Sequence, residues 1–203
     1  MTDNPDPMSA SEGKEGSIEE SFSFDLRLFH RRIEVGDDWQ RVIQGHLFLD
    51  HVLTRTLEEA LTKPDEIRLD RMSFSAKLDL CSALGLIDEG TVKMVRRINR
   101  LRNDISHDLN FEVHEYHGRE IRDLAPPFVR GLIEERIGVP DASIMTHCLK
   151  VAIVTLDMNR QRWIEHRKAQ KAREVRLNAA IENARRILEE TKAREPRTTR
   201  ERT

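Results

Sequence analysis

Aromatic side chains are scarce in this chain of 203 residues: they make up 5% of it, with a single tyrosine and two tryptophans. Nine glycines and seven prolines are too few for the many tight turns of an all-β fold. The two cysteines, Cys81 and Cys148, have no CxxC spacing, so they form neither a zinc site nor a disulfide framework and read as buried, reduced thiols. No apolar run approaches the roughly 20 residues that span a bilayer. The opening Met1-Thr2-Asp3-Asn4-Pro5-Asp6-Pro7 has none of the basic and apolar regions of a secretion signal. The expected location is the cytoplasm, with no membrane attachment.

What is abundant is charge, at 34% of residues, alongside 38% hydrophobic residues. That balance suits one domain with long solvated helical faces. The net charge of -2 conceals an asymmetry. From Asn159 to Thr203 there are 14 Lys and Arg against 7 Asp and Glu, whereas the remainder carries 20 against 29. A basic tail on an acidic body suits nucleic acid or an acidic partner, although a solvated helix face explains it as readily.

Apolar residues recur at helical spacing along most of the chain. Residues 1–20 lack such periodicity and are expected to be disordered. Phe22 to Phe29 begin a first helix that ends near Gly36. Asp37 or Asp38 caps a second, which carries Val42, Ile43, Leu47, Leu49, Val52, Leu53 and Leu57 and closes at Pro64. A third runs from Ser73 to Leu84, with Gly85 as its left-handed cap. Asp88 restarts a fourth, whose stripe is Val92, Val95, Ile98, Leu101 (or Arg102), Ile105 and Leu109. Residues 110–118 read as a loop, and Pro126-Pro127 interrupts the helical stretch 119–136. Beyond Gly138-Val139-Pro140, Asp141 caps a last helix that is apolar from Ile144 to Met158 and charged to about Lys192. At about 1.5 Å per residue it reaches about 75 Å, and the chain ends in a disordered Thr/Arg-rich stretch. The expected architecture is an all-α, up-and-down bundle over residues 21–160, followed by a basic helical extension over 161–203.

The stretch Arg102-Asn103-Asp104-Ile105-Ser106-His107 carries the most chemistry. An Arg-x4-His pair alone says little: with 26 Arg and 8 His, about one is expected by composition, and Arg41…His46 is a second instance. Requiring Asn directly after the Arg lowers the expectation to about 0.04. Arginine's planar fork matches phosphate oxygens and stays charged. Histidine moves protons near neutral pH, and asparagine can fix an imidazole tautomer or bond a phosphate. These are the groups needed to deprotonate a ribose 2′-hydroxyl, stabilise the phosphate and protonate the leaving 5′-oxygen. Residues five apart on a helix point about 140° away from each other, so two copies of the helix, meeting across a two-fold axis, are needed to surround one substrate. The plain alternative is a polar network at a dimer seam.

Arg102-Asn103-x3-His107 resembles the Arg-Asn-x3-His signature of the HEPN superfamily. The preceding Lys77-Leu78-Asp79-Leu80-Cys81-Ser82-Ala83-Leu84-Gly85-Leu86-Ile87 is similar to the branch that includes the mannitol operon repressor. The resemblance covers roughly residues 37 to 160. It implies a helical bundle dimerising through the motif helix and, in active members, a metal-independent endoribonuclease of toxin–antitoxin and phage-defence systems. On this basis Arg102 and His107 are the expected catalytic residues, Asn103 and Asp104 supporting ones, with no metal and no cofactor. The expected partners are a second copy, RNA and a cognate antitoxin or defence component. The same branch contains regulators and binding modules, so a non-catalytic adaptor is the alternative. The basic C-terminal helix has no counterpart in the family core; within it Arg162, Arg167, Lys168 and Lys171 are the candidate RNA contacts. His114-Glu115-Tyr116-His117 has metal-ligand residue types, but a solvated or RNA-contacting loop explains it better.

Overall fold

The computed structural model describes residues 21–135 and 143–194, with side chains to Thr191. The expected disorder at both termini, the Gly138-Val139-Pro140 break and the Asp141 cap lie outside these residues. The described residues form seven helices and two short 3-10 turns and contain no strand, so the fold is an all-α bundle. The helices are α1 (Leu26–Glu34), α2 (Asp38–Ala60), α3 (Phe74–Ala83), α4 (Glu89–His107), α5 (Glu115–Leu124), α6 (Pro127–Glu134) and α7 (Ile144–Arg194). The chain divides into two compact units, Met1–Trp163 and Ile164–Thr203.

Local chemistry sets most helix boundaries. Asp25 opens α1 by accepting the Leu28 N–H at 2.9 Å. At α2 the Gln40 side chain reaches back to the Asp37 N–H at 2.9 Å, satisfying a donor that the first helical turn cannot. Ser73 and Asp88 cap α3 and α4 through the backbone N–H groups of Ala76 and Thr91. Ser143 does the same for α7, accepting the Thr146 N–H at 3.1 Å and donating to Asp38 at 2.8 Å. Pro126 and Pro127 separate α5 from α6, because neither supplies the N–H that a continuous helix requires.

Gly85 ends α3 at φ +68°, with the Leu86 N–H on the Cys81 carbonyl and the Gly85 N–H on that of Ser82. These paired bonds define a Schellman ending, which turns the chain so that α4 packs on α3. A Cβ on Gly85 meets no atom within 4 Å. The cost of Gly85→Ala is therefore conformational, about 1–2 kcal/mol for a left-handed residue, to be read from the shift in urea midpoint. Gly118 has a different role. A Cβ there would come within 2.7 Å of Ile144 Cγ2, so α5 and α7 touch through its missing side chain.

The core of the first unit is built around α2 and α4, whose apolar faces meet each other and those of α1, α3 and α5. Leu49, Leu53 and Leu57 of α2, Val95, Ile98 and Leu101 of α4, and Leu149, Ile153 and Leu156 of α7 are all buried. The α4 stripe follows the expected spacing to Ile105, but Leu109 is fully exposed: Asp108 caps the helix before the repeat reaches it. Residues 115–124, the first of which fell in the expected loop, form α5 instead. The His114 N–H donates to His117 Nδ1 at 3.0 Å, and His117 is buried beside Phe111.

Cys81 and Cys148 are free and buried, and burial pushes each thiol up to about 12. Neither should react with a maleimide at pH 7.5 in the folded protein, and both should react in urea; mass spectrometry of the adducts reads this directly.

Arg160 departs from the expectation of a solvated cation on the last helix. It is buried, with its Nε on Asp157 at 2.8 Å and its NH1 on Glu59 at 2.9 Å. Its third nitrogen donates to the Ser21 carbonyl at 2.8 Å. The wholly buried Asp157 also accepts from Ser23 at 2.6 Å and Gln161 at 2.8 Å. Two helices and the segment before α1 are thereby tied at one point.

Candidate functional site

The Arg102–His107 stretch forms the last turns of α4. The Asp108 side chain accepts the Asn110 N–H at 2.9 Å and so folds the chain away directly after His107. The apolar stripe of α4 is consumed by α2, α3 and α5. The face left to solvent carries Arg100, Asp104 and His107, with Arg96 and Asn103 half-buried beside them. Asp104 and His107 therefore sit on the open side of the helix, whereas Arg102 lies toward its packed side.

Arg102 is half-buried, and its NH1 donates to the Asn103 side-chain oxygen at 3.3 Å. Among the described residues it forms no ion pair, whereas Arg96 and Arg97 on the same helix pair with Asp79 and Glu120, each at 2.6 Å. Its guanidinium is thus held by a neutral neighbour rather than by a carboxylate. His107 is exposed, and its side chain makes no hydrogen bond among the described residues. Asp104 is exposed too, and no side-chain hydrogen bond joins it to His107 or Arg102 among the described residues. Helix geometry sets Asn103 and His107 about 40° apart on one face, with Arg102 about 140° from His107. One chain therefore brings Arg102 and Asn103 together but leaves His107 aimed elsewhere.

Beneath Arg102 lies a polar network that reading along the chain does not reveal. His46 of α2 is buried, and its Nε2 is 2.9 Å from the Asn99 side-chain oxygen. Asn99 donates in turn to Ser75 of α3 at 3.2 Å, and the His46 ring packs on Phe74 with centroids 4.2 Å apart. Nearby, the buried Lys77 donates to both Asp50 carboxylate oxygens at 2.9 and 3.0 Å. Three helices are joined under the motif by these contacts. Arg41 belongs to none of them: it pairs with Asp38 at 2.8 Å, so Arg41…His46 is not a working pair.

Burial lowers the pKa of His46; the Asn99 bond opposes this, and the Arg102 charge adds to it. A folded-state value below the ordinary one of about 6.5 means that the unfolded chain takes up the proton first as pH falls. Stability should therefore decline as pH drops through that value, and His46→Gln should remove part of the slope. Urea midpoints of both proteins at pH 7.5 and 5.5 measure the difference.

Of the candidate RNA contacts, Arg162, Arg167, Lys168 and Lys171 are all exposed on α7. Arg162 also lines an apolar cavity of about 430 Å³ with Phe29, Val129, Val151, Val154 and Met158. Among the described residues no group of three His, Cys, Asp or Glu could hold a metal ion, and no helix is long and apolar enough to cross a membrane. Comparison of the chain with protein-family models, curated proteins and solved structures gives no match.

Proposed function

We propose that this protein is an endoribonuclease of the HEPN type, acting in the cytoplasm through a composite site that two copies of α4 form together. The observation that carries this reading is the half-buried Arg102 guanidinium, un-neutralised by any carboxylate among the described residues and steadied by Asn103. A cation fixed in this way suits a phosphate: it is already oriented, and no internal anion has to be displaced. His107 supplies the proton-transfer group, and its exposure leaves it accessible to a substrate.

In this scheme an imidazole removes the ribose 2′-proton, and the 2′-oxygen attacks phosphorus. The bond to the 5′-oxygen breaks as that oxygen receives the proton back from the imidazolium, leaving a 2′,3′-cyclic phosphate and a free 5′-hydroxyl. Arg102 stabilises the charge on the non-bridging oxygens, and all atoms balance without a metal ion or cofactor. Because Arg102 and His107 diverge on one helix, the His107 that serves a given Arg102 comes from the other copy. A cognate antitoxin or defence component is the partner this reading calls for.

The test is cleavage of cellular RNA in EDTA by the wild-type protein and by His107→Ala. Loss of a general acid–base is expected to lower the rate by about 10²–10⁴-fold. Equal cleavage by the two proteins rejects the assignment. The second reading, a non-catalytic adaptor of the mannitol-repressor type, is favoured by the wholly exposed charged helix from Glu165 to Thr191. Under it, removing residues 165–203 abolishes function while His107→Ala is silent.

A further inference from the structure

Between α1 and the start of α2 lies a groove of about 610 Å³. Leu28 and Val35 on the α1 side, with Trp39 and Ile43 of α2, form its apolar wall. Trp39 is 46% exposed, so much of its indole is open to a ligand. Arg31 and Arg32 are the only charged residues on the lining, and neither forms an ion pair among the described residues. Arg32 is held instead by the Gln44 side-chain oxygen at 3.4 Å. Gln40 accepts the Asp37 N–H with its own oxygen, which leaves its amide donors for the groove. The nearby carboxylates are committed elsewhere. Asp25 caps α1, Glu34 takes Lys150, and Asp38 takes Arg41 and Ser143. Asp37 opens α2 and does not line the groove.

The groove lies at the motif end of the bundle. Contacts ascend together along α2 and α3, with His46 on Phe74, Asp50 on Lys77 and Leu53 beside Cys81. They run in opposite order along α3 and α4, where Ser75 meets Asn99 and Asp79 meets Arg96. Helices α2 and α4 are therefore antiparallel and level with each other at the His46–Asn99 contact. Trp39 stands seven residues before His46, and Ser106 seven after Asn99, so both lie about 10 Å from that contact in the same direction. Seven residues fall only about 20° short of two turns, which keeps Trp39 on the edge of α2 that carries His46.

An indole face stacks on any base, and arginines beside it hold the phosphates. The pairing suits a single strand, whose bases are open, rather than a duplex, whose bases are stacked on one another. The amides of Gln40 and Gln44 are of the type that bonds base edges. A second copy laid on the groove would set Arg31 and Arg32 against their own counterparts. A lipid surface takes a projecting apolar face, whereas this indole lines a concave one.

We propose that the Trp39 groove binds single-stranded nucleic acid, with a base stacked on the indole and the neighbouring phosphates on Arg31 and Arg32. The assignment stands on the chemistry of the groove and does not depend on cleavage at Arg102 and His107.

The probe is a fluorescein-labelled deoxyadenylate 12-mer, which has no 2′-hydroxyl and so cannot be cut by the chemistry proposed above. An abasic strand of the same length is the comparison. Fluorescence anisotropy with the full-length protein should show the base-bearing strand binding at least about fivefold more tightly. Trp39→Ala should weaken that strand about tenfold and leave the abasic strand unchanged, while Trp39→Phe, which keeps a ring, recovers most of the loss. Arg31→Gln with Arg32→Gln should weaken both strands and make the slope of log affinity against log salt shallower by about 1.4, the release expected from two phosphates of a single strand. No binding of the base-bearing strand, equal binding of both strands, insensitivity to Trp39→Ala or an unchanged salt slope overturns the proposal. So does Trp39-dependent self-association in sedimentation velocity, or Trp39-dependent binding to phosphatidylserine vesicles or to a polyglutamate peptide in place of the strand.

Discussion

Arg160→Ala is expected to lower the unfolding free energy by roughly 3–5 kcal/mol, the usual consequence of removing one partner from a buried ion pair. The size follows from what remains behind. Asp157 is completely buried, and after the substitution it keeps, among the described residues, only the side chains of Ser23 and Gln161 as donors. Glu59 loses two contacts, and the Ser21 carbonyl loses the bond from Arg160. Desolvation opposes the charge on Arg160, but its bonds to Asp157 and Glu59 outweigh this and raise its pKa. The ion pair is therefore stable as long as the fold is. Arg160→Met with Asp157→Leu supplies the contrast, because exchanging a buried pair for apolar groups is often neutral or stabilising. Urea denaturation of the three proteins measures both effects. A loss below about 1 kcal/mol for Arg160→Ala would show that water reaches the network, as it does for surface pairs of that strength.

Arg160 also marks where reading along the chain stops working. In sequence it begins a run of cations that looks solvated from end to end. Its i−3 partner Asp157 is visible there, but Glu59, about a hundred positions away, is not. The caps at Ser73 and Asp88, the left-handed Gly85 and the double-proline break are legible because each depends on residues within one or two turns. Residues 115–118 were less so: a tyrosine, a histidine and a glycine among them are poor helix formers, and packing of Gly118 under Ile144 overrides that preference. Leu109 failed in the opposite way, since its periodicity continues past a helix end that Asp108 imposes. The candidate site divides similarly. Arg102 and Asn103 are adjacent in sequence and bonded in space, whereas His46, Asn99 and Ser75 come from three helices and share no local signature.

If the protein is the endoribonuclease proposed above, Arg102→Ala should reduce RNA cleavage by about 10²–10³-fold, the effect of deleting one oriented donor from a charge-stabilising site. Arg102→Lys keeps the charge but loses the planar fork, and it should recover only a small part of that loss. Near-UV circular dichroism and urea midpoints should change little in either variant, because the guanidinium bonds only Asn103 among the described residues. The composite arrangement makes a sharper demand. A heterodimer of Arg102→Ala with His107→Ala contains one site built from an intact Arg102 and an intact His107, and another lacking both. Mixing the two inactive variants under conditions that exchange subunits should restore activity toward a quarter of wild type, since half the dimers are mixed and each has one working site. If Arg102 and His107 instead served a substrate from within the same chain, every site in the mixture would lack one of them, and mixing would restore nothing. The mixing experiment thus decides between one helix and two, with rates per chain as its readout, and the roughly 140° between the side chains on α4 argues for two.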